Sequence, residues 1–199
     1  MSIHYCMEKE LASKLGRQDW LTIAIQTLID KGIEAVKIDP LAKLLNVTRG
    51  SFYWHFKNRD DLLAEILHEW EARNTKSVIA QIEELNSSPS SKLLSLFEIA
   101  AQDDNRLEKA VRIWSVNDDR AAAAINQIDQ QRLDYLQNLF LQLGFSEIDA
   151  KVRAQIVYSV RLGWFVMASS SQSTERLTEI RLVHTILTQI NNLEAVPNQ

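Results

Sequence analysis

The sequence predicts an all-α protein: an N-terminal three-helix helix-turn-helix head on a C-terminal helical body, about nine helices in all. Three observations carry that expectation. Apolar residues recur at three- and four-residue spacing along the chain, and alternation at period two is nowhere sustained. Five Gly and three Pro in 199 residues are too few for the frequent turns of a sandwich, barrel or propeller. Between Leu45 and Arg49 only Asn46, Val47 and Thr48 separate two short helical patterns, the joint of a helix-turn-helix.

The elements follow in order. A first helix is expected from about Arg17 to Lys31, with Trp20, Ile23, Ala24, Thr27 and Leu28 on one stripe. Gly32 ends it, because glycine accepts the left-handed backbone of a C-terminal cap. Asp39-Pro40 marks the second, an N-cap acceptor before a proline at the first helical position. Leu41, Ala42, Leu44 and Leu45 form its apolar face, and it stops near Asn46. A short third helix starts after Thr48 and runs through Phe52 to about His55. The segment from Lys57 to Asp61 opens a long fourth helix carrying Leu62, Leu63, Ile66, Leu67 and Trp70. Asp60 and Asp61 fall in its first turn, where carboxylates complement the helix dipole.

Asn86-Ser87-Ser88-Pro89-Ser90-Ser91 is the clearest loop. Helices are expected beyond it at about Lys92–Gln102, Asn105–Val116 and Asp118–Leu143, the last closed by Gly144. Ser146 and Asp149 make a variant capping box that starts a helix to about Ala168. A polar turn from Ser169 to Ser173 then leads into a final helix from about Thr174 to Leu193. The expected division is a helix-turn-helix head over residues 12–60 and a helical body over 61–199.

Composition sets the class. Hydrophobic residues make up 46% and charged residues 24%, ordinary values that exclude disorder as the main state. A single cysteine, Cys6, excludes a disulfide framework and a cysteine-based zinc site. No pattern calls for a metal or a cofactor. Glu8, Lys9 and Glu10 interrupt the N-terminus before a signal peptide could form. The longest apolar stretch, Ile156 to Ala168, is broken by Arg161 and too short to span a bilayer. The expected location is the cytoplasm. Residues 1–60 hold nine Lys/Arg against seven Asp/Glu, a net of +2, and the remainder thirteen against nineteen, a net of −6. A mildly basic head thus sits on an acidic body.

The informative segment is KIDPLAKLLNVTRGSFYWHFKNR, Lys37 to Arg59. The second helix of a helix-turn-helix enters the major groove, where each base pair presents its own donor and acceptor pattern. Arg49 and Tyr53 lie one turn apart on the short helix, as do Gly50 and Trp54, so they form one exposed strip. Phe52 and Phe56 face the other way and anchor the helix on Leu45 and the first helix.

Here the sequence resembles the TetR family of transcriptional regulators. The run Gly50-Ser51-Phe52-Tyr53-Trp54-His55-Phe56, followed by Lys57-Asn58-Arg59-Asp60-Asp61-Leu62-Leu63, is similar to that family's recognition helix and the start of the next. Leu41-Ala42-x-x-Leu45-x-Val47-Thr48 and an upstream helix ending in Lys31-Gly32 fit as well. The resemblance covers about the first 70 residues. It implies a base-reading role for Arg49 and phosphate contacts from Tyr53 and His55. Thr48 bonds a phosphate or caps the helix. Trp54 touches sugar or a thymine methyl, or packs on the first helix. Lys57 and Arg59 precede a helix N-terminus that can itself hold a phosphate, and one of them is expected to contact it. Lys37 is a further phosphate candidate, with a plain surface lysine as the alternative.

The resemblance further implies a homodimer on an inverted-repeat DNA operator, released by a small-molecule effector. Its last two helices would pair across a two-fold axis. The matching apolar candidates here are Val157, Val160, Trp164, Ile180, Val183 and Leu187, and burial within one monomer is the alternative. Phe97, Trp114, Tyr135, Phe140 and Trp164 are candidates to line an effector pocket, against the plain alternative of ordinary core.

Two other classes compete. Glu65-Ile66-Leu67-His68 has the Glu-x-x-His spacing of di-metal helix bundles, but such sites need two copies and the chain has one. Neither a phosphate-binding glycine loop nor a nucleophile elbow is present, so the expectation is not an enzyme. The second alternative is a helical protein-interaction module whose head no longer binds DNA.

Overall fold

The computed structural model describes residues 15–102, 104–166 and 173–189. Cys6, most of the polar turn expected from Ser169 to Ser173, and the expected end of the final helix near Leu193 lie outside them. Among the described residues there are helices and no strands. The helices are α1 (Arg17–Lys31), α2 (Ile38–Leu44), α3 (Arg49–Phe52), α4 (Arg59–Glu71), α5 (Ser77–Glu84), α6 (Pro89–Gln102), α7 (Arg106–Ser115), α8 (Asp119–Gln142), α9 (Glu147–Val166) and α10 (Ser173–Thr188). A π turn, Ala72–Lys76, runs directly from α4 into α5, and with those two taken as one helix the described residues hold the nine expected. None is long and apolar enough to cross a membrane.

The chain divides into two compact units. One takes Met1–Asn74 with Asn105–Ile125, the other Thr75–Asp104 with Asn126–Gln199. The first unit is therefore larger than a three-helix head, since it includes α4 and α7.

The core of the first unit follows from the apolar stripes. Trp20, Leu21, Ala24 and Leu28 of α1 meet Leu41 and Ala42 of α2, Phe52 of α3, Phe56, and Leu62, Leu63 and Ile66 of α4, all buried. Burial of such side chains contributes about 1.5–3 kcal/mol each. One buried charge stands out: Glu108 of α7 has no exposed surface. It accepts a hydrogen bond from Trp70 Nε1 of α4 at 3.1 Å and pairs with Arg112 one turn on, at 2.8 Å. A carboxylate so far from water persists only where such partners replace its hydration.

The second unit has its own core: Leu93 and Phe97 of α6, Leu136, Leu139 and Phe140 of α8, Phe145, Ala150, Ala154 and Tyr158 of α9, Ile180 and Leu187 of α10. A polar network is set into it. Arg132 of α8 donates to the Thr75 hydroxyl at 3.0 Å and the Tyr158 hydroxyl at 3.3 Å, and Tyr158 donates to Asp129 at 2.6 Å. Burial pushes the Tyr158 hydroxyl above its ordinary pKa. His184 of α10 lies 2.9 Å from the Ser90 carbonyl oxygen near the start of α6, which ties those two helices together.

Local signals account for most helix ends. Gly32, at φ 78°, closes α1 as expected. Gly144, at φ 94°, closes α8 in a Schellman turn, with Gly144 N–H donating to Leu141 and Phe145 N–H to Phe140. The Phe145 and Phe140 rings then meet edge to face at 5.9 Å, the apolar contact that accompanies this turn. Ser146 accepts from Asp149 N–H at 3.3 Å and starts α9.

Two starts differ from expectation. α6 begins at Pro89 rather than Lys92, inside the expected Asn86–Ser91 loop, because proline suits the first helical position. α2 begins at Ile38, with Lys37 as its N-cap, not at Pro40 with Asp39 as cap. Proline is tolerated throughout the first turn, whose N–H groups have no helical partner, so Pro40 marks the turn without marking its first residue. Asp39 is thereby released from capping, and its carboxylate is left exposed.

Candidate nucleic-acid interface

The joint between α2 and α3 is a second Schellman turn. Asn46 takes the left-handed backbone, φ 55°, its N–H donating to Lys43 and that of Val47 to Ala42, at 3.2 and 3.0 Å. Asparagine accepts that region more readily than most residues. The turn fixes α3 against α2 without a long loop.

Behind α3 the packing is aromatic. Phe52 lies edge to face with Trp20 at 5.2 Å and stacks with Phe56 at 5.4 Å; both phenylalanines are buried, as expected. Arg17 covers the Phe56 ring at 4.7 Å and pairs with Glu65 at 2.6 Å. The Arg17 guanidinium, through its hydrogen bond, holds the Glu65 carboxyl below its ordinary pKa. Glu65 is therefore committed to the head, and His68 is exposed one turn on. Among the described residues no three His, Cys, Asp or Glu side chains gather as metal ligands would.

In front of α3 the strip is open. Trp54 is 87% exposed and Tyr53 49%. Trp54 thus faces solvent rather than the first helix. Arg49 projects beside them, its Nη2 donating to the Tyr53 hydroxyl at 3.2 Å and its Nη1 lying 3.6 Å from the Asp39 carboxylate. Those partners raise the Arg49 pKa, the hydrogen bond to Tyr53 first. Thr48 is the N-cap residue of α3 by backbone, but its hydroxyl accepts no capping hydrogen bond from the helix N–H groups. A Cβ on Gly50 would lie 3.6 Å from the Thr48 hydroxyl, an ordinary contact, so no steric need for glycine arises there.

His55 is half-buried, in the turns that follow α3, whereas Lys37 and Lys57 are exposed. Lys57 N–H donates to Asp61 at 3.0 Å, and Asn58 caps α4 by accepting from Asp61 N–H at 2.9 Å. Arg59, by contrast, is held by backbone acceptors. Its Nε donates to the Val36 carbonyl at 2.6 Å and its Nη2 to the Ile33 carbonyl at 2.9 Å. Arg59 thus clamps the start of α4 to the segment of the 3-10 turn Ile33–Ala35 and Val36. The pull of two carbonyls more than twenty residues upstream has no signature in the motif.

The apolar candidates in the body separate as well. Ile180 and Leu187 are buried in the core of their own unit, and Val157 and Val183 pack against it. Val160 is half-buried, and the side chain of Trp164 lies outside the described residues. Exposed apolar residues lie at other positions of these helices: Ile148, Val152 and Ile156 at four-residue spacing on α9, and Leu182 and Ile186 on α10. Both helices are apolar on two sides, and the sequence did not tell which side their own core takes. Of the pocket candidates, Phe97 and Phe140 belong to the core of the second unit and Tyr135 packs against it, hydrogen-bonded to Glu83. Trp114 is buried in the first unit.

The head agrees with known sequences. Residues 21–66 match the family model described as bacterial regulatory proteins, tetR family. The chain is 34% identical over 83 residues to an HTH-type transcriptional regulator, AcrR, of Shigella flexneri, a match of 42% of this chain and 37% of that protein. The chain thus spans well under half of that relative's length. The fold is shared more widely. NemR of E. coli, in its reduced form, superposes with a TM-score of 0.68 at 17% identity, over 92% of this chain and 99% of that one. The fatty acid degradation regulator FadR from Bacillus halodurans gives 0.64 at 20% identity, over 91% and 98%.

Proposed function

We propose that the chain is a DNA-binding transcriptional repressor of the tetR family, the family whose model its residues 21–66 match. It acts as a homodimer on an inverted repeat and is released by a small molecule. The observation that carries the reading is the open strip of Arg49, Tyr53 and Trp54 on a short helix whose other side is locked by Trp20, Phe52 and Phe56. An arginine fits the two acceptors of guanine in the major groove, and its aromatic neighbours suit sugar and thymine methyl. Thr48, Lys37 and Lys57 border the strip as phosphate contacts, which position without specifying.

The dimer reading rests on Ile148, Val152, Ile156, Leu182 and Ile186. A two-fold axis brings such a face against its own copy, which is the self-complementarity a closed dimer requires. The effector reading rests on the family and on the second unit having a core of its own, where Phe97, Tyr135 and Phe140 gather.

The deciding experiment is selection from random duplex DNA with the purified protein at two salt concentrations. Enrichment of an inverted repeat, with affinity falling linearly against log salt, is the expected result. Recovery of no sequence pattern at either salt would overturn the reading. For the dimer, Ile156→Glu should convert the protein to a monomer in sedimentation while leaving the melting of the head intact. A variant that sediments like the parent would remove α9 from the interface.

A further inference from the structure

Asp39 has no role in capping, and its place beside Arg49 gives it another. The two partners of Arg49 come from different helices and meet different terminal nitrogens: Tyr53 on α3 at Nη2, Asp39 on α2 at Nη1. Only the Tyr53 contact consumes an N–H group, since 3.6 Å is an ion pair beyond hydrogen-bond reach. Of the five guanidinium N–H groups four remain, with at least one on each terminal nitrogen. The fork that reads guanine is thus held in place without being used. Arg49 and Asp39 are 59% and 62% exposed, so the pair adds little to folding.

We propose that Asp39 is a specificity-determining residue of the recognition surface: it tethers Arg49 for base reading and penalises complexes in which Arg49 turns to a phosphate instead. The inference rests on the reading of α2 and α3 as a DNA-binding motif. On a wrong sequence, Arg49 gains most by swinging to the nearest phosphate. That leaves the Asp39 carboxylate uncompensated beside a polyanion, and like charges in that position are repelled. On the right sequence the guanidinium meets neutral base edges and stays near Asp39, so the repulsion remains compensated. The penalty falls on non-specific binding, and discrimination widens by a repulsive element rather than by a new attraction.

The test uses the full chain, a selected inverted-repeat duplex and a scrambled duplex of equal length at 0.1 M salt. Asp39→Asn should bind the scrambled duplex about three- to tenfold tighter, a scale set by one charge at short range in screened solvent. The selected duplex should shift by about twofold or less, because an exposed pair contributes so little. Tyr53→Phe, which removes the other tether without changing charge, should lower the ratio of the two affinities by about two- to threefold. Glu34→Gln removes another exposed head carboxylate and should move both duplexes equally. If Asp39→Asn also moves both equally, Asp39 is only background charge and the proposal fails, while DNA binding stands. If the unsubstituted chain selects no sequence, the DNA-binding reading fails and takes this inference with it.

Discussion

Arg49 and Arg59 stand ten residues apart in one motif, and they do opposite work. Arg49, in front of α3, lends a single donor to Tyr53 and keeps the others open. Arg59, at the start of α4, gives Nε and Nη2 to the carbonyls of Val36 and Ile33. The first side chain is held but unspent; the second is spent on the fold. A charged residue in a binding motif therefore carries no fixed role. What decides is whether an unpaired backbone acceptor lies within its reach.

The comparison can be broken most forcefully behind the strip. Phe52→Ala removes a buried ring that touches Trp20, Phe56 and Tyr53. It should destabilise the head by about 3–5 kcal/mol, as phenylalanine truncations in close-packed cores do. Thermal or denaturant unfolding measures this. A loss below about 1 kcal/mol would mean that α3 is not anchored through this ring.

Arg59→Ala should come next. Two carbonyl oxygens lose charged donors, and each such bond contributes about 1.5–3 kcal/mol when its partner is ionised, less where solvent can replace it. A net loss of about 2 kcal/mol in stability is expected, with the slope of DNA affinity against log salt unchanged. A slope reduced by about one, with stability intact, would return Arg59 to the phosphate role its sequence position suggests.

These cases show how much was legible in the sequence. The course of α1, its closure at Gly32, the short α3 and the burial of Phe52 and Phe56 all follow from local spacing and turn chemistry. They depend on neighbours within a few positions. What was not legible depends on partners far along the chain. Pro40 announces the first turn of α2 but not that Lys37 caps it, so the local pattern points to Asp39 as a cap and not to its place beside Arg49. In α10, Ile180, Leu182, Ile186 and Leu187 are all apolar, yet two are core and two are surface. No periodicity says which side of a doubly apolar helix its own unit claims. Likewise α7 shows an ordinary amphipathic pattern, and partners far along the chain assign it to the first unit: the buried Trp70–Glu108 bond and the Arg106–Asp30 ion pair.

Arg49→Ala sharpens the contrast from the other side. The guanidinium is exposed and its loss uncovers no buried group, so unfolding should be unchanged. Binding to the selected duplex should weaken about tenfold to a hundredfold, and preference at one symmetric pair of positions should relax. Scrambled DNA should lose much less, because a base contact contributes nothing where the base is wrong. The paired result, stability lost without specificity at Arg59 and specificity lost without stability at Arg49, is what the two geometries require. Equal loss on both duplexes for Arg49→Ala would place its guanidinium on a phosphate. In that case the tether to Asp39 would not hold it for reading, and the strip would be a positioning surface with its base-reading group elsewhere on α3.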